Sequence, residues 1–358
     1  MAILFLILST SVTYAQIVLS RPLIEKWRHQ AVGTTNLTPT VSKESIYLTL
    51  SSGTLYSLDA SDGNLNWSAE IGGIFSAAPT SDEQGVYIAS ETKGIESSIQ
   101  RTIGTLRAIG SRSGVTLWMR MLPSPIYGAL VSNDTTLFGG TKDGRLYAVR
   151  KQTGELLWAK QYHLAFSGHP VLFNNHLFIG DESGNLLIVE TLTGNTFWRY
   201  QTEGDIRAVA VLPDEKIFIG TGEGFIYALD AGQHLLRWKV RTGGGVQSIV
   251  PTASGLIVNS LDNFVYNLSY RRGKKLWKRQ LAGRATARPL LVGDCILITP
   301  LAGDESVVLD VRDGKKLNSI PTGEDENTDA SPLLAGHLLL LTTRKGLVAY
   351  TDTLSAIP

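Results

Sequence analysis

The residues that could do chemistry are few, and their spacing assembles no reactive centre. Six histidines stand at 29, 163, 169, 176, 234 and 337 and share no metal-ligand spacing; His163 and His169 are six apart across an expected turn. Cys295 is the only cysteine, so a disulfide within the chain and a cysteine-based zinc site are both excluded. It lies in the apolar run Cys295–Ile298, where a small buried hydrophobe is expected rather than a reactive thiol. The one dense acidic stretch, Gly323 to Asp329, lacks the Asp-x-Asp-x-Asp-Gly frame of a calcium loop and reads as a solvated rim. No serine–histidine–carboxylate set or glycosidase pair of acids can be built from sequence alone. No catalytic residue and no metal ligand is assigned.

Composition is that of an ordinary globular protein: 43% hydrophobic, 18% charged, formal net charge +1 over 358 residues. A near-neutral chain lacks the basic face that nucleic acid demands. Residues 1–15 form an apolar run too short to span a bilayer, with the small residues Thr13 and Ala15 ahead of Gln16. The expectation is a signal peptide over 1–15 and a single folded domain over 16–358, exported to the periplasm or the extracellular space as a monomer, with no transmembrane span.

The elements that must position any site come from an internal repeat. The seven tryptophans, Trp27, Trp67, Trp118, Trp158, Trp198, Trp238 and Trp277, are spaced by 40, 51, 40, 40, 40 and 39 residues. Asn318 continues the frame with the aromatic lost. A phrase of the type Gly-x-Leu-Tyr opens at Gly53, Gly104, Gly144, Gly184, Gly224, Asn263, Asp304 and Gly346. Four residues before each tryptophan-frame position stand Gly63, Gly114, Gly154, Gly194, His234, Gly273 and Gly314. Gly, Asn and Asp enter left-handed backbone at low cost, so these are read as turns. His234 is the odd member, and Gly232 suggests a turn displaced by two residues. Alternating apolar runs between the turns predict four strands per repeat.

Eight phrases predict an all-β, eight-bladed β-propeller. The last phrase has no tryptophan after it, and Trp27 has no phrase before it. The strand around Ile24–His29 is therefore expected to complete the blade whose inner strands come from 328–351, closing the ring. Inner strands are expected at Phe75–Thr80, Ala165–Leu172, Ile206–Leu212, Val246–Pro251 and Ala285–Leu291. That frame turns Tyr127, His169, Arg207, Gln247, Arg284, Arg288 and Asp329 toward the central channel. The extra residues 91–103 read as a polar surface insertion, and a binding role and a tolerated loop both stay open.

Residues 53–67, 144–158 and 224–238 resemble the repeats of the pyrroloquinoline-quinone (PQQ)-like β-propeller superfamily. The resemblance implies that the tryptophans pack structurally between neighbouring blades. One branch is similar to quinoprotein dehydrogenases and would imply PQQ with calcium, the channel arginines facing the carboxylates of the quinone. The other resembles the BamB-type subunit of the outer-membrane β-barrel assembly machinery, a propeller without a cofactor that binds other envelope proteins. Length, ring closure and the leader favour the second branch. The lipid-anchoring cysteine of that branch is absent.

Overall fold

Turn residues every few positions cut the chain into short strands, and strict alternation gives each strand two faces to bury. The computed structural model describes residues 17–96, 99–162, 165–166, 168–323 and 326–353; the leader expected over 1–15 lies outside them. Eight blades of four antiparallel strands form a ring, the sheet of blade 2 gaining a fifth, parallel strand of two residues, Gly128–Ala129, beside Ile74–Ser81, and the described residues contain no helix. Taken outward from the axis, blade 4 is Val171–Phe173, His176–Gly180, Asn185–Glu190 and Thr196–Gln201, and the other blades repeat this order.

Burial follows position in the blade. The second and third strands are covered on both faces, as at Gly255–Ser260 and Gly346–Asp352, where every residue is buried. Outer strands such as Leu65–Glu70 alternate exposed with half-buried residues. The faces of neighbouring blades meet near the axis and splay apart toward the rim.

Blades are joined through the tryptophans. Six indole nitrogens donate to a backbone carbonyl on the next blade, 32–34 residues ahead in five cases and 44 ahead for Trp67, where the insertion intervenes. The pairs are Trp27–Ala60, Trp67–Ser111, Trp118–Lys151, Trp158–Thr191, Trp238–Tyr270 and Trp277–Val311, at 2.7–3.0 Å. The flat face of each of these indoles covers the turn glycine of the next blade. A β-carbon on Gly194, where φ is 70°, would stand 2.7 Å from Trp158 Cε3. The same contact recurs at Gly63, Gly114, Gly154, Gly273 and Gly314. In every blade a one-residue bulge falls immediately before the tryptophan-frame position and aims that side chain at its neighbour.

Three turns depart from expectation. His234 itself holds the left-handed conformation, with φ 54°, so the turn is not displaced toward Gly232. Its imidazole stacks on Trp198 at 4.7 Å, in the place a glycine leaves bare elsewhere. Gly104 is not in a turn: it pairs with Glu91 and Leu122 inside a long strand. At Asp304 the left-handed residue is the preceding Gly303. Gly53, Gly144, Gly184, Gly224, Asn263 and Gly346 do have positive φ.

The ring closes with Leu23–Gln30 paired to Gly346–Asp352, in register from Leu23 opposite Asp352 to Gln30 opposite Gly346. Residues before that strand tie down blade 7 as well. Ile17 and Leu19 pack against Val292, Leu297 and Val308, and Asn318 Nδ2 donates to the Leu19 carbonyl at 3.0 Å.

Trp158→Ala is expected to lower stability by roughly 3–5 kcal/mol, because a buried indole and its hydrogen bond are lost together. Gly194→Ala should cost roughly 1–3 kcal/mol through strained backbone and contact with that indole. Thermal melts check both, and unchanged midpoints would sink the proposed anchoring role. Deleting residues 24–29 should leave no cooperative melt, because blade 8 loses its outer strand; a normal melt would mean that the strand does not hold the ring.

Candidate functional site

In each blade the turn after the second strand and the connection into the next inner strand lie on one face of the ring. This face carries most of the residues that the sequence places at the channel. A cleft of about 750 Å³ opens there across blades 4 to 7. Its walls include His169, Arg207, Gln247 and Thr286, with Glu182, Asp205 and Glu223 among them.

Only part of the predicted set sits on strands. Arg207 lies in Ile206–Val211 and Gln247 in Val246–Thr252. The inner strands of blades 4, 7 and 8 are three residues long, so His169, Arg288 and Asp329 stand in the segments that lead into them. These segments approach the axis before pairing begins, which frees their side chains from the ladder. His163 and the acids Glu324 and Asp325 lie outside the described residues.

Two of the acids at the site have partners. Arg207 Nε donates to Asp205 at 2.7 Å. The Thr286 hydroxyl donates to the Asp329 carboxylate across the junction of blades 7 and 8. Arg288 N donates to Ser331 Oγ at 3.0 Å, and Ser331 N to Thr38 Oγ1 at 2.9 Å, stitching blades 7, 8 and 1. Gln247 Nε2 has no hydrogen-bond partner. His169 and Arg288 are exposed to the channel and flanked by its walls. The walls push the histidine pKa down, and the charge of Arg288 adds to the effect. Burial lowers the arginine as well.

Tyr127 stands apart from this group. Its hydroxyl donates to Glu91 Oε2 at 2.6 Å, and Lys142 Nζ lies 4.6 Å above its ring. Burial, then the Glu91 carboxylate, pushes the phenol up to about 12. Glu91 opens the insertion, which is not a loop. It lengthens the central hairpin of blade 2, Gly85–Glu96 with Ile99–Gly110, in register to Glu96 opposite Ile99. Six added pairs carry the hairpin roughly 20 Å beyond the turns of the other blades, on the face of the cleft.

Sequence reasoning passed over Glu182, Asp205, Glu223 and Glu91. A signal existed: Glu182 and Glu223 lie within two residues of the repeat glycines Gly184 and Gly224, and Asp205 follows Gly204. Among the described residues no three His, Cys, Asp or Glu side chains come together as a metal site, and no helix is long and apolar enough to cross a membrane.

In an NMR titration His169 should titrate below 6.5. Arg288→Gln should raise its midpoint only partway, because burial is the larger cause. An ordinary midpoint in the native protein would contradict the confined site.

No curated relative matches the chain. A family model described as outer membrane protein assembly factor BamB matches residues 24–101, 102–208 and 204–356. BamB from Moraxella catarrhalis is similar in structure, with a TM-score of 0.78 at 14% identity over 92% of this chain and 100% of that one. The computationally designed Ika8 protein gives 0.76 at 16% identity, over 92% and 99% of the two chains. A quinohemoprotein alcohol dehydrogenase from Pseudomonas putida HK5 gives 0.72 at 12% identity, over 94% of this chain and 77% of that one. At these identities the structures share the fold alone. The family model covers nearly the whole ring, and on that ground the chain belongs to the family of the outer membrane protein assembly factor BamB.

Proposed function

We propose that the protein is a non-catalytic, monomeric binding platform of the cell envelope, exported by its leader and holding other envelope proteins on the face that carries the cleft and the blade 2 hairpin. The observation that carries this reading is the family match over nearly the whole ring. Two features of the site support it. Two acids at the site, Asp205 and Asp329, already accept from Arg207 and Thr286, and the wall residues Glu182 and Glu223 belong to no cluster of three metal-ligating side chains among the described residues. The lengthened hairpin extends the same face beyond the turns of the other blades.

Photo-crosslinking side chains placed at Lys93 and Glu223, in the cell that makes the protein, should give discrete adducts with envelope proteins. A control at Asp62, on the opposite face, should give none. Equal labelling from all three positions, or none from Lys93 and Glu223, would remove the reading. Titration of the purified protein with PQQ and calcium should show no saturable binding by calorimetry; micromolar binding lost in Arg207→Ala or Arg288→Ala would establish the dehydrogenase-like alternative instead.

A further inference from the structure

One outer strand differs from the other seven. Along Thr116–Leu122 of blade 2, Leu117, Met119 and Met121 are 57%, 55% and 63% exposed, and Val115 just before them is 62% exposed. The repeat frame allows a position-by-position comparison. One residue after the tryptophan-frame position, where Met119 stands, the other blades carry Arg28, Ser68, Ala159, Arg199, Lys239, Lys278 and Ser319. Three residues after it, where Met121 stands, they carry Gln30, Glu70, Gln161, Gln201, Arg241, Gln280 and Pro321. Polar and charged residues, with proline, are how edge strands avoid pairing with other chains. Blade 2 alone places a large apolar side chain at both positions.

The strand is also an edge. It pairs with Ile99–Gly110 on one side only and ends the sheet on the other. Its outer backbone groups are therefore free to extend the ladder.

Charge decides what fits. No acidic residue occurs from 97 to 133, while three arginines keep the strand's surroundings positive. Arg112 is exposed beside the strand. Arg107 and Arg120 are half-buried, donating to the carbonyls of Ile71 and Gly154 on the neighbouring blades. A second copy of the chain would bring these arginines against each other, over a seven-residue edge much smaller than the ~1,200–2,000 Å² of a stable interface. A lipid surface would leave the unpaired backbone groups without partners in hydrocarbon. An extended acidic chain satisfies all three features, its backbone completing the ladder and its apolar side chains covering the methionines.

We infer that the outer strand of blade 2, Thr116–Leu122, receives an extended segment of a partner protein by strand addition, and that this segment alternates apolar with acidic residues. This rests on the platform reading and names a second contact surface, on the rim of the ring.

The probe is a fluorescent peptide of alternating glutamate and valine, nine residues long, titrated into the full chain by anisotropy. Met119→Glu with Met121→Glu should weaken binding at least tenfold. N-methylation of every second peptide bond should do the same, because it removes ladder hydrogen bonds and leaves charge and side chains in place. Ala159→Glu, at the position in blade 3 that Met119 holds in blade 2, should change nothing, and all variants should melt as the parent does. No saturable binding, or binding indifferent to the methionine changes or to N-methylation, overturns the proposal. So does sedimentation with phosphatidylcholine–phosphatidylglycerol vesicles that the double change abolishes, since the surface would then serve a membrane. A photo-crosslinker at position 119 separates the two readings. Adducts that the peptide competes away support the edge, adducts from position 223 alone leave the platform without it, and adducts from neither position remove both.

Discussion

The structure depends on one contact: an indole laid flat over a glycine turn of the next blade, with its N–H on a carbonyl beside that turn. No blade can bury its two central strands alone, because both of their faces are apolar. Each must be covered by its neighbours, and the tryptophan fixes how far round the ring the next blade sits. The bulge before it supplies the aim, and the left-handed glycine supplies the space.

The exceptions show what the contact must accomplish. Where histidine replaces the glycine, the ring is stacked on Trp198 instead of being kept clear of it. Where asparagine replaces the tryptophan, Asn318 reaches the carbonyl of Leu19 and so binds the segment before the closing strand to blade 7. At the closure, the outer strand of blade 8 comes from the other end of the chain, and Trp27 then continues the pattern onto blade 1. A ring without a free seam holds the first and last described strands in the same sheet.

On this scaffold the functional differences lie where the repeat is broken. The cleft forms where the inner strands of blades 5 and 6, and the segments leading into those of blades 4 and 7, carry Arg, Gln, His and acid side chains. Blade 2 combines the lengthened hairpin with an outer edge of methionines among arginines. A fold with eight equivalent positions makes such asymmetries visible, because the other seven blades show what structure alone requires.

The number of blades, their four strands and the way the ring closes were legible in the sequence. They follow from local rules: turn residues at fixed spacing, alternation of apolar side chains, and a half-repeat at each end. The candidate site was legible only in part. Register alone placed Arg207 and Gln247 on inner strands. It could not show that Asp205 neutralises Arg207, that Asp329 belongs to Thr286, or that Tyr127 faces Glu91 rather than the cleft. The same limit applies to the insertion, whose polar sequence with three isoleucines suits a loop as well as the longer hairpin it forms. Those outcomes depend on which segments from different blades meet at the axis, and on distances of a few ångströms between residues dozens apart in the chain. A periodic sequence determines the strands and their order. Only the closed ring decides which charges become partners, because the partners lie on different repeats.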